Sequence, residues 1–374
     1  MHFQIKHKYS FLLVTGCWLL ATFSFAQDSL PERKTFLTFS AHYGFIMPHR
    51  SNMDYLIKSH IGAAEIDIIQ ATNGGKHWEK IYKRPEKGIG FYYCDLVNPI
   101  LGDAIGIFPF VNFLLNPGGK FKLFIKAGDG LGIITNPYDR VNNHKNNING
   151  SYINEFIYLK LNSVFYPTKN IRMDAGIALT HLSSGNWVVP NLGINILTAS
   201  AGISFYKFKP CITHPAARDT ATHLFSKKMF YSVYIAAGPN ALKARNGPDY
   251  GAYTLAFYAT KPVTEKSRFS AGFDAFYQLA NLAMAEKDTS IFDPSNKLNN
   301  VQLGVRLGYE LVVGKFALPY EMGYYVFNKT PDIGDFYHRL GLRYYVNKHF
   351  IVNYCLKSHW FVANNIEFGA SYIF

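Results

Sequence analysis

Three polar residues in the segment 170–208 have the types and the spacing that nucleophilic ester chemistry requires. Ser183 carries a hydroxyl, His181 lies two positions before it, and Asn195 follows twelve positions after it. Residues i and i+2 of an extended strand share a face about 6.5 to 7 Å apart, so an imidazole at 181 can reach a hydroxyl at 183. A nucleophile, a base and a group that orients the base form the catalytic set of serine hydrolases. The pattern predicts this chemistry.

The same residues share a face that the alternation predicts to point towards lipid. In the first strand the apolar row consists of Ile171, Met173, Ala175, Ile177 and Leu179. Continuing this row reaches His181 and Ser183, and extending the apolar row of the next strand backwards reaches Asn195. Polar groups on a lipid-facing wall cost free energy, so we interpret the three as catalytic. The structural alternative is an interfacial histidine, a loop serine and a turn asparagine.

Positioning these residues requires strands, and the chain beyond residue 30 consists of stretches of about ten residues with period-two alternation. They are rich in Tyr, Phe, Val and Ile and are separated by Asn, Gly, Pro and Asp clusters. This pattern is typical of an all-β, antiparallel transmembrane β-barrel. The predicted strands are 35–47, 61–72, 87–97, 101–115, 120–135, 152–168, 171–184, 193–207, 228–238, 249–263, 267–283, 299–313, 316–328, 335–347, 350–361 and 365–374.

Residues 208–227 contain two prolines and no alternation, and they divide these strands into two series of eight with similar final segments. We therefore predict two tandem barrels, 27–207 and 228–374, joined by a linker at 208–227. One barrel of about sixteen strands is the alternative.

The connections alternate in length, which orients a barrel because its periplasmic turns are short and its outer loops long. The long segment 136–151 falls where an outer loop is expected, and 167–170 falls where a tight periplasmic turn is expected. Two connections break the rule, since 73–86 is long for a periplasmic turn and 98–100 is short for an outer loop. The alternation predicts that Ser183 lies near the outer leaflet.

The N-terminus has the pattern of an export signal. Two lysines precede the apolar stretch 11–20, and Ser24-Phe25-Ala26 forms a small-x-small cleavage site, so residues 1–26 are predicted to be removed. Cys17 as a lipoprotein cleavage site is the alternative. The chain ends in an alternating strand on Phe374, which resembles the terminal strand of bacterial outer-membrane barrels. These features predict the outer membrane as the location.

The formal net charge is +13, and the signal segment contributes two lysines and no acid to it. An exported basic protein is expected to meet anionic lipid or phosphorylated glycolipid rather than nucleic acid. The Cys and His spacings match neither a disulfide framework nor a metal motif, so no metal and no cofactor are predicted. The sequence leaves the oligomeric state open.

Two short blocks in the first repeat carry a family resemblance, 181–183 (His-Leu-Ser) and 190–195 (Pro-Asn-Leu-Gly-Ile-Asn). They resemble the active-site segment of the outer-membrane lipid A 3-O-deacylases, in which His-x-Ser is followed by Pro-Asn-x-Gly-Ile-Glu at the same spacing. The resemblance implies an eight-stranded barrel that hydrolyses an ester-linked acyl chain of lipid A. It makes Ser183 the nucleophile, His181 the base and Asn191 a structural or oxyanion-supporting residue.

The chain departs from this family at Asn195, where the family has an acid, and at Ser184, where an asparagine usually follows the serine. A His/Ser/Asn set also resembles outer-membrane phospholipase A, a twelve-stranded barrel that depends on calcium. That resemblance implies a phospholipid substrate and a calcium cofactor. A third alternative is a non-catalytic barrel that serves as a pore or scaffold.

In the second repeat, His359 aligns with His181, but Phe361 occupies the position of the nucleophile. This repeat is therefore predicted to be non-catalytic.

Overall fold

The structure, a computed structural model, describes residues 34–116, 121–205, 226–241, 249–281, 296–329, 334–360 and 362–374. The predicted signal peptide, and residues 208–225 of the predicted linker, lie outside this part of the chain. Within the described ranges, no helix has both the length and the apolar character needed to cross a membrane.

Eight antiparallel strands form the first closed barrel, in which each strand pairs with the next and the last pairs with the first. They are β1 (Thr35–Ile46), β2 (Ile61–Ala71), β3 (Glu86–Asp95), β4 (Asp103–Leu114), β5 (Lys122–Ile134), β6 (Ile153–Phe165), β7 (Ile171–Ser183) and β8 (Ile194–Phe205). A 3-10 helix (Ser51–Leu56) follows β1, and a short helix α1 (His77–Ile81) follows β2.

A second closed barrel contains the other eight strands and is also antiparallel throughout. They are β9 (Phe230–Ala241), β10 (Asp249–Pro262), β11 (Ser267–Gln278), β12 (Val301–Val313), β13 (Phe316–Asn328), β14 (Phe336–Tyr345), β15 (Phe350–His359) and β16 (Val362–Ile373), with a 3-10 helix (Lys297–Asn300) before β12. The predicted all-β class and the two-barrel arrangement are confirmed. The alternative of a single sixteen-stranded barrel is wrong.

The interior of the first barrel is filled by the inward-facing rows of its strands. Phe108 and Phe156 stack with their ring centroids 5.0 Å apart. The ammonium of Lys126 donates to Glu65 at 2.5 Å and to Asp67 at 2.6 Å. Burying a charge is costly unless it is paired, so these ion pairs allow polar residues to occupy a core closed off from solvent. The inward rows of an eight-stranded barrel just fill its interior.

Arginine-carboxylate pairs fill the second barrel in the same manner. Arg339 contacts Asp274 at 2.6 Å and Glu321 at 3.0 Å, and Arg343 donates to Glu321 at 2.6 Å. Planar guanidinium groups suit such shared pairing because each carries several donors in one fork. In both barrels, these interior charges are therefore paired.

The long connections of the first barrel gather at one end, which the loop alternation predicts to face outwards; they are 47–60, 135–152 and 184–193. Tyr55 donates its hydroxyl to the carbonyl of Lys145 at 2.5 Å. The N–H of Leu192 donates to the carbonyl of Ile148 at 2.8 Å. The central loop 135–152 thus holds the other two, which fixes the ends of β1, β7 and β8 relative to one another.

At the opposite end, the unexpectedly long connection after β2 contains α1 and packs against short turns of the second barrel. His77 bonds to Glu265 at 2.9 Å, and the hydroxyl of Tyr82 donates to the carbonyl of Val312 at 2.7 Å. Burial, together with the nearby Tyr309, raises the pKa of Tyr82 to about 12, so this donor keeps its proton. The length of this connection therefore serves a contact between the barrels.

Candidate active site

His181 and Ser183 occupy the outer end of β7, and Asn195 lies directly opposite His181 on β8. Thr180 and Leu182, the neighbours of His181 along β7, face inwards and are fully buried in the barrel. His181, Ser183 and Asn195 therefore lie on the outward face, as the alternation predicts. Ser183 is nevertheless only 6% exposed, because the loop 184–193 folds back beside it.

The structure brings His181 and Asn195 into direct contact. The Nδ1 of His181 lies 2.6 Å from the Oδ1 of Asn195. An amide oxygen can only accept, so His181 carries its proton on Nδ1 in this bond. The Nε2 of the neutral ring then has a free lone pair, which is the arrangement a general base needs.

A second imidazole, His49, fixes the orientation of the Asn195 amide. The Nε2 of His49 lies 3.0 Å from the carbonyl oxygen of Leu192, so this nitrogen is the donor. Its Nδ1 is then an acceptor, and it lies 3.3 Å from the Nδ2 of Asn195. Only one orientation of the amide satisfies both neighbours, with its nitrogen towards His49 and its oxygen towards His181.

The sequence pattern did not identify His49, which lies just beyond β1 and 146 positions before Asn195. No local motif links the two residues. Their proximity follows from the pairing of β1 with β8, because the N–H of Met47 donates to the carbonyl of Asn195 at 2.8 Å. The pairing of the first and last strands, which closes the barrel, thus delivers His49 to the site.

The side chains of Ser183 and His181 both lie next to Gly193. A Cβ at Gly193 would lie 3.0 Å from the Cε1 of His181 and 3.5 Å from the Cβ of Ser183. Gly193 has a φ of +81°, so a glycine is required for backbone conformation as well as for space. Within the described residues, no hydrogen bond yet joins the Ser183 hydroxyl to His181. In many hydrolases this bond tightens only when substrate is bound.

Asn191 is a structural residue of the loop. Its Oδ1 accepts a hydrogen bond from the N–H of Ser184 at 2.8 Å, and its backbone pairs with Asn149 of the central loop. The N–H of Ser184 is therefore occupied. In the part of the chain that the structure describes, the next two N–H groups, those of Gly185 and Asn186, donate no hydrogen bond.

His359, the residue of the second repeat that aligns with His181, occupies a different environment. His359 is inward-facing and nearly buried, and its Nε2 lies 2.8 Å from the hydroxyl of Tyr325. Phe361 lies outside the described residues. Across the described ranges of both barrels, no group of three or more His, Cys, Asp or Glu side chains could hold a metal ion.

Two family models match the chain. The model of lipid A 3-O-deacylase (PagL) matches residues 65–204, and the model of the acyloxyacyl hydrolase C-terminal domain matches residues 229–374. The two matches together span about three quarters of the chain. The first includes His181, Ser183 and Asn195, whereas His49 lies before it. No curated protein matches.

Several solved outer-membrane structures are similar to this chain. Neisserial surface protein A (NspA) is 11% identical with a TM-score of 0.33, and the match covers 47% of this chain and 99% of that one. The outer membrane enzyme PagL is 14% identical with a TM-score of 0.30, covering 44% of this chain and 97% of that one. A mutant Rh. blastica porin is 8% identical with a TM-score of 0.20, covering 92% of this chain and 100% of that one.

Proposed function

The chain belongs to the lipid A 3-O-deacylase family, and on that premise we propose that it is a serine esterase of the outer membrane that removes an ester-linked acyl chain from lipid A. Ser183 is the nucleophile, His181 the general base and Asn195 the residue that orients the base. The observation that carries this proposal is the 2.6 Å bond between His181 and Asn195, made on the lipid-facing wall beside a serine.

The reaction proceeds in two halves. The Oγ of Ser183 attacks the ester carbonyl carbon while the Nε2 of His181 takes the hydroxyl proton. The tetrahedral intermediate expels the sugar alkoxide, which takes that proton from His181 and leaves an acyl-serine. His181 then removes a proton from water, the hydroxide attacks the acyl-serine, and the fatty acid leaves as Ser183 recovers its proton.

Asn195 performs only part of the work of the carboxylate found at this position in the family. Its oxygen holds the Nδ1–H of His181 and so sets the tautomer, but it supplies no negative charge to stabilise the imidazolium. An amide is also asymmetric, and a rotation by half a turn would present a donor to His181. His49 prevents this rotation by accepting from Nδ2, so it is a positioning residue for Asn195.

The oxyanion of the tetrahedral intermediate requires preorganised donors. Asn191 occupies the N–H of Ser184, so we assign this role to the N–H groups of Gly185 and Asn186. Both residues have positive φ values, +60° and +70°, so the loop turns sharply directly after the nucleophile. Consecutive N–H groups in such turns form anion-binding concavities.

The surroundings of the site favour a phosphorylated glycolipid over a neutral lipid. The wall below His181 is apolar and exposed, including Ile177 and Leu179, and suits an acyl chain. The loops above it carry exposed cations, including Arg50 and Lys145, and these loops are joined through Tyr55. Such cations suit the phosphates of lipid A.

Mass spectrometry of lipid A and phospholipids tests the proposal, using membranes that contain matched amounts of the wild type or Ser183→Ala. We expect lipid A to lose one acyl chain with the wild type only. Lysophospholipid that forms only when calcium is present would instead identify a phospholipase A. Identical lipid profiles would mean that the barrel is non-catalytic and that its polar residues are structural.

A further inference from the structure

We propose that the second barrel acts as a latch on the loop 184–193, which follows Ser183 and is called the catalytic loop below. It holds residues 184–187 of this loop in the conformation that the reaction needs. This inference rests on the proposed function of the first barrel. It assigns a role to the second barrel, in which His359 lies in the barrel interior and not on the lipid-facing wall.

The first contact is made by Asn186, three residues after the nucleophile. Its Nδ2 donates to the carbonyl of Asn364 at 3.0 Å, and its own carbonyl accepts from the N–H of Ala241 at 3.1 Å. Nδ2 also lies 3.4 Å from the Oδ1 of Asn240. Asn364 and Ala241 belong to β16 and β9, the strands whose pairing closes the second barrel. The catalytic loop is thus hydrogen-bonded to the ends of β9 and β16 that lie beside it.

The second contact is apolar and lies next to the first. A Cβ at Gly185 would lie 2.5 Å from the Cγ1 of Ile366 and 3.5 Å from the Cδ1 of Leu356, so the loop backbone presses against the wall of the second barrel. Ile366 faces outwards, yet it is only 3% exposed, whereas the outward-facing Ile235 of the same barrel is 59% exposed. The catalytic loop covers this isoleucine.

The third contact lies on the other side of the nucleophile. Glu155 on β6 pairs directly with Ser183 on β7, and both side chains face outwards. Tyr354 on β15 interacts electrostatically with the Glu155 carboxyl group. An acid in contact with lipid would be costly. The presence of Glu155 therefore indicates that the second barrel, not lipid, covers this part of the wall of the first barrel. Contacts from the second barrel therefore flank Ser183.

Contacts at the far end keep the two barrels aligned. His77 and Tyr82 of the first barrel bond to Glu265 and Val312 of the second. Because the barrels touch at both ends, neither can pivot freely about the catalytic loop. The second barrel thereby limits the positions available to the Gly185 and Asn186 N–H groups, which we assign to the oxyanion.

The experiment uses the full chain with two substitutions on the latch, Ile366→Ala and Asn186→Gly. Glycine at 186 retains the positive φ and removes only the side-chain bonds. Ile235→Ala is the matched control, since it removes the same apolar group from an open face of the same barrel. The readouts are kcat and KM for lipid A deacylation and the hydrogen exchange of the amides in 184–187.

We expect both latch variants to lower kcat about tenfold with little change in KM, because loss of an oxyanion donor acts on the transition state. Ile366→Ala should also speed exchange in 184–187, whereas Ile235→Ala should change neither readout. Wild-type kcat and exchange in a folded Ile366→Ala variant would overturn the latch. Ser183→Ala tests the proposed function separately, because activity that survives this substitution refutes it. Hydrogen exchange in 184–187 needs no turnover, so it tests the latch even if the proposed function is wrong.

Discussion

The amide of Asn195 is held by His49 from the side opposite to His181, with 3.3 Å between the Nδ2 of Asn195 and the Nδ1 of His49. A carboxylate has two equivalent oxygens and needs no such orientation, whereas an amide must present one end to each neighbour. With an asparagine at 195, the contact with His49 therefore fixes which end of the amide faces His181.

The first prediction concerns this pairing. His49→Ala should lower kcat about fivefold, the cost of losing one hydrogen bond that orients the base. In an Asn195→Glu background the same substitution should have little effect, because either carboxylate oxygen can accept from His181. Steady-state kinetics of the two single variants and the double variant measure this coupling. Equal losses in both backgrounds would show that His49 acts independently of residue 195.

Substitutions at residue 195 separate orientation of the base from charge. Asn195→Leu keeps the approximate size but removes the acceptor, and it should lower kcat at least about a hundredfold because the wrong tautomer of His181 becomes available. Asn195→Glu should raise kcat severalfold, because a negative charge stabilises the imidazolium. The measurement is kcat for lipid A deacylation at equal amounts of folded barrel. A leucine variant as active as the wild type would exclude Asn195 from catalysis.

Gly193 provides a test of the crowding around the site. Gly193→Ala should lower kcat at least about tenfold, because its Cβ would lie 3.0 Å from the Cε1 of His181 and would displace the imidazole ring. Gly334 is the matched control, since its φ is +73° and a Cβ there would meet no atom of the described residues within 4 Å. Both variants should lose about 1 to 2 kcal/mol of stability from the left-handed backbone. Thermal unfolding and activity assays distinguish the two effects, and a Gly193→Ala variant with wild-type kcat would contradict this geometry.

The contact between the barrels can be measured through Tyr354. Tyr354→Phe removes the hydroxyl that interacts with Glu155 and should lower stability by about 1 kcal/mol, the net contribution of one polar interaction between partly buried groups. In a Glu155→Leu background the same substitution should cost much less. Thermal unfolding in detergent micelles gives the four values of this cycle. A zero coupling energy would show that the two side chains do not interact.

Local pattern was sufficient to predict the strands and the pair His181 and Asn195. Alternation with a period of two follows from strand geometry alone, and both residues belong to one hairpin, β7 and β8, in which His181 pairs directly with Asn195. Ser183 lies on the same row as His181, so its proximity also follows from the strand. For these residues, the neighbours along the chain are also the neighbours in space.

Other features of the site depend on contacts between residues far apart in the chain, and the alternation of apolar and polar residues does not predict such contacts. His49 reaches Asn195 only because β1 pairs with β8, and Asn186 meets Asn364 only because one barrel docks against another. The long connection that contains α1 broke the expected alternation of loops for the same reason, since it contacts the second barrel. An alternating strand specifies which side chains face lipid, whereas the identity of whatever covers that face is fixed only when the barrels close and pack.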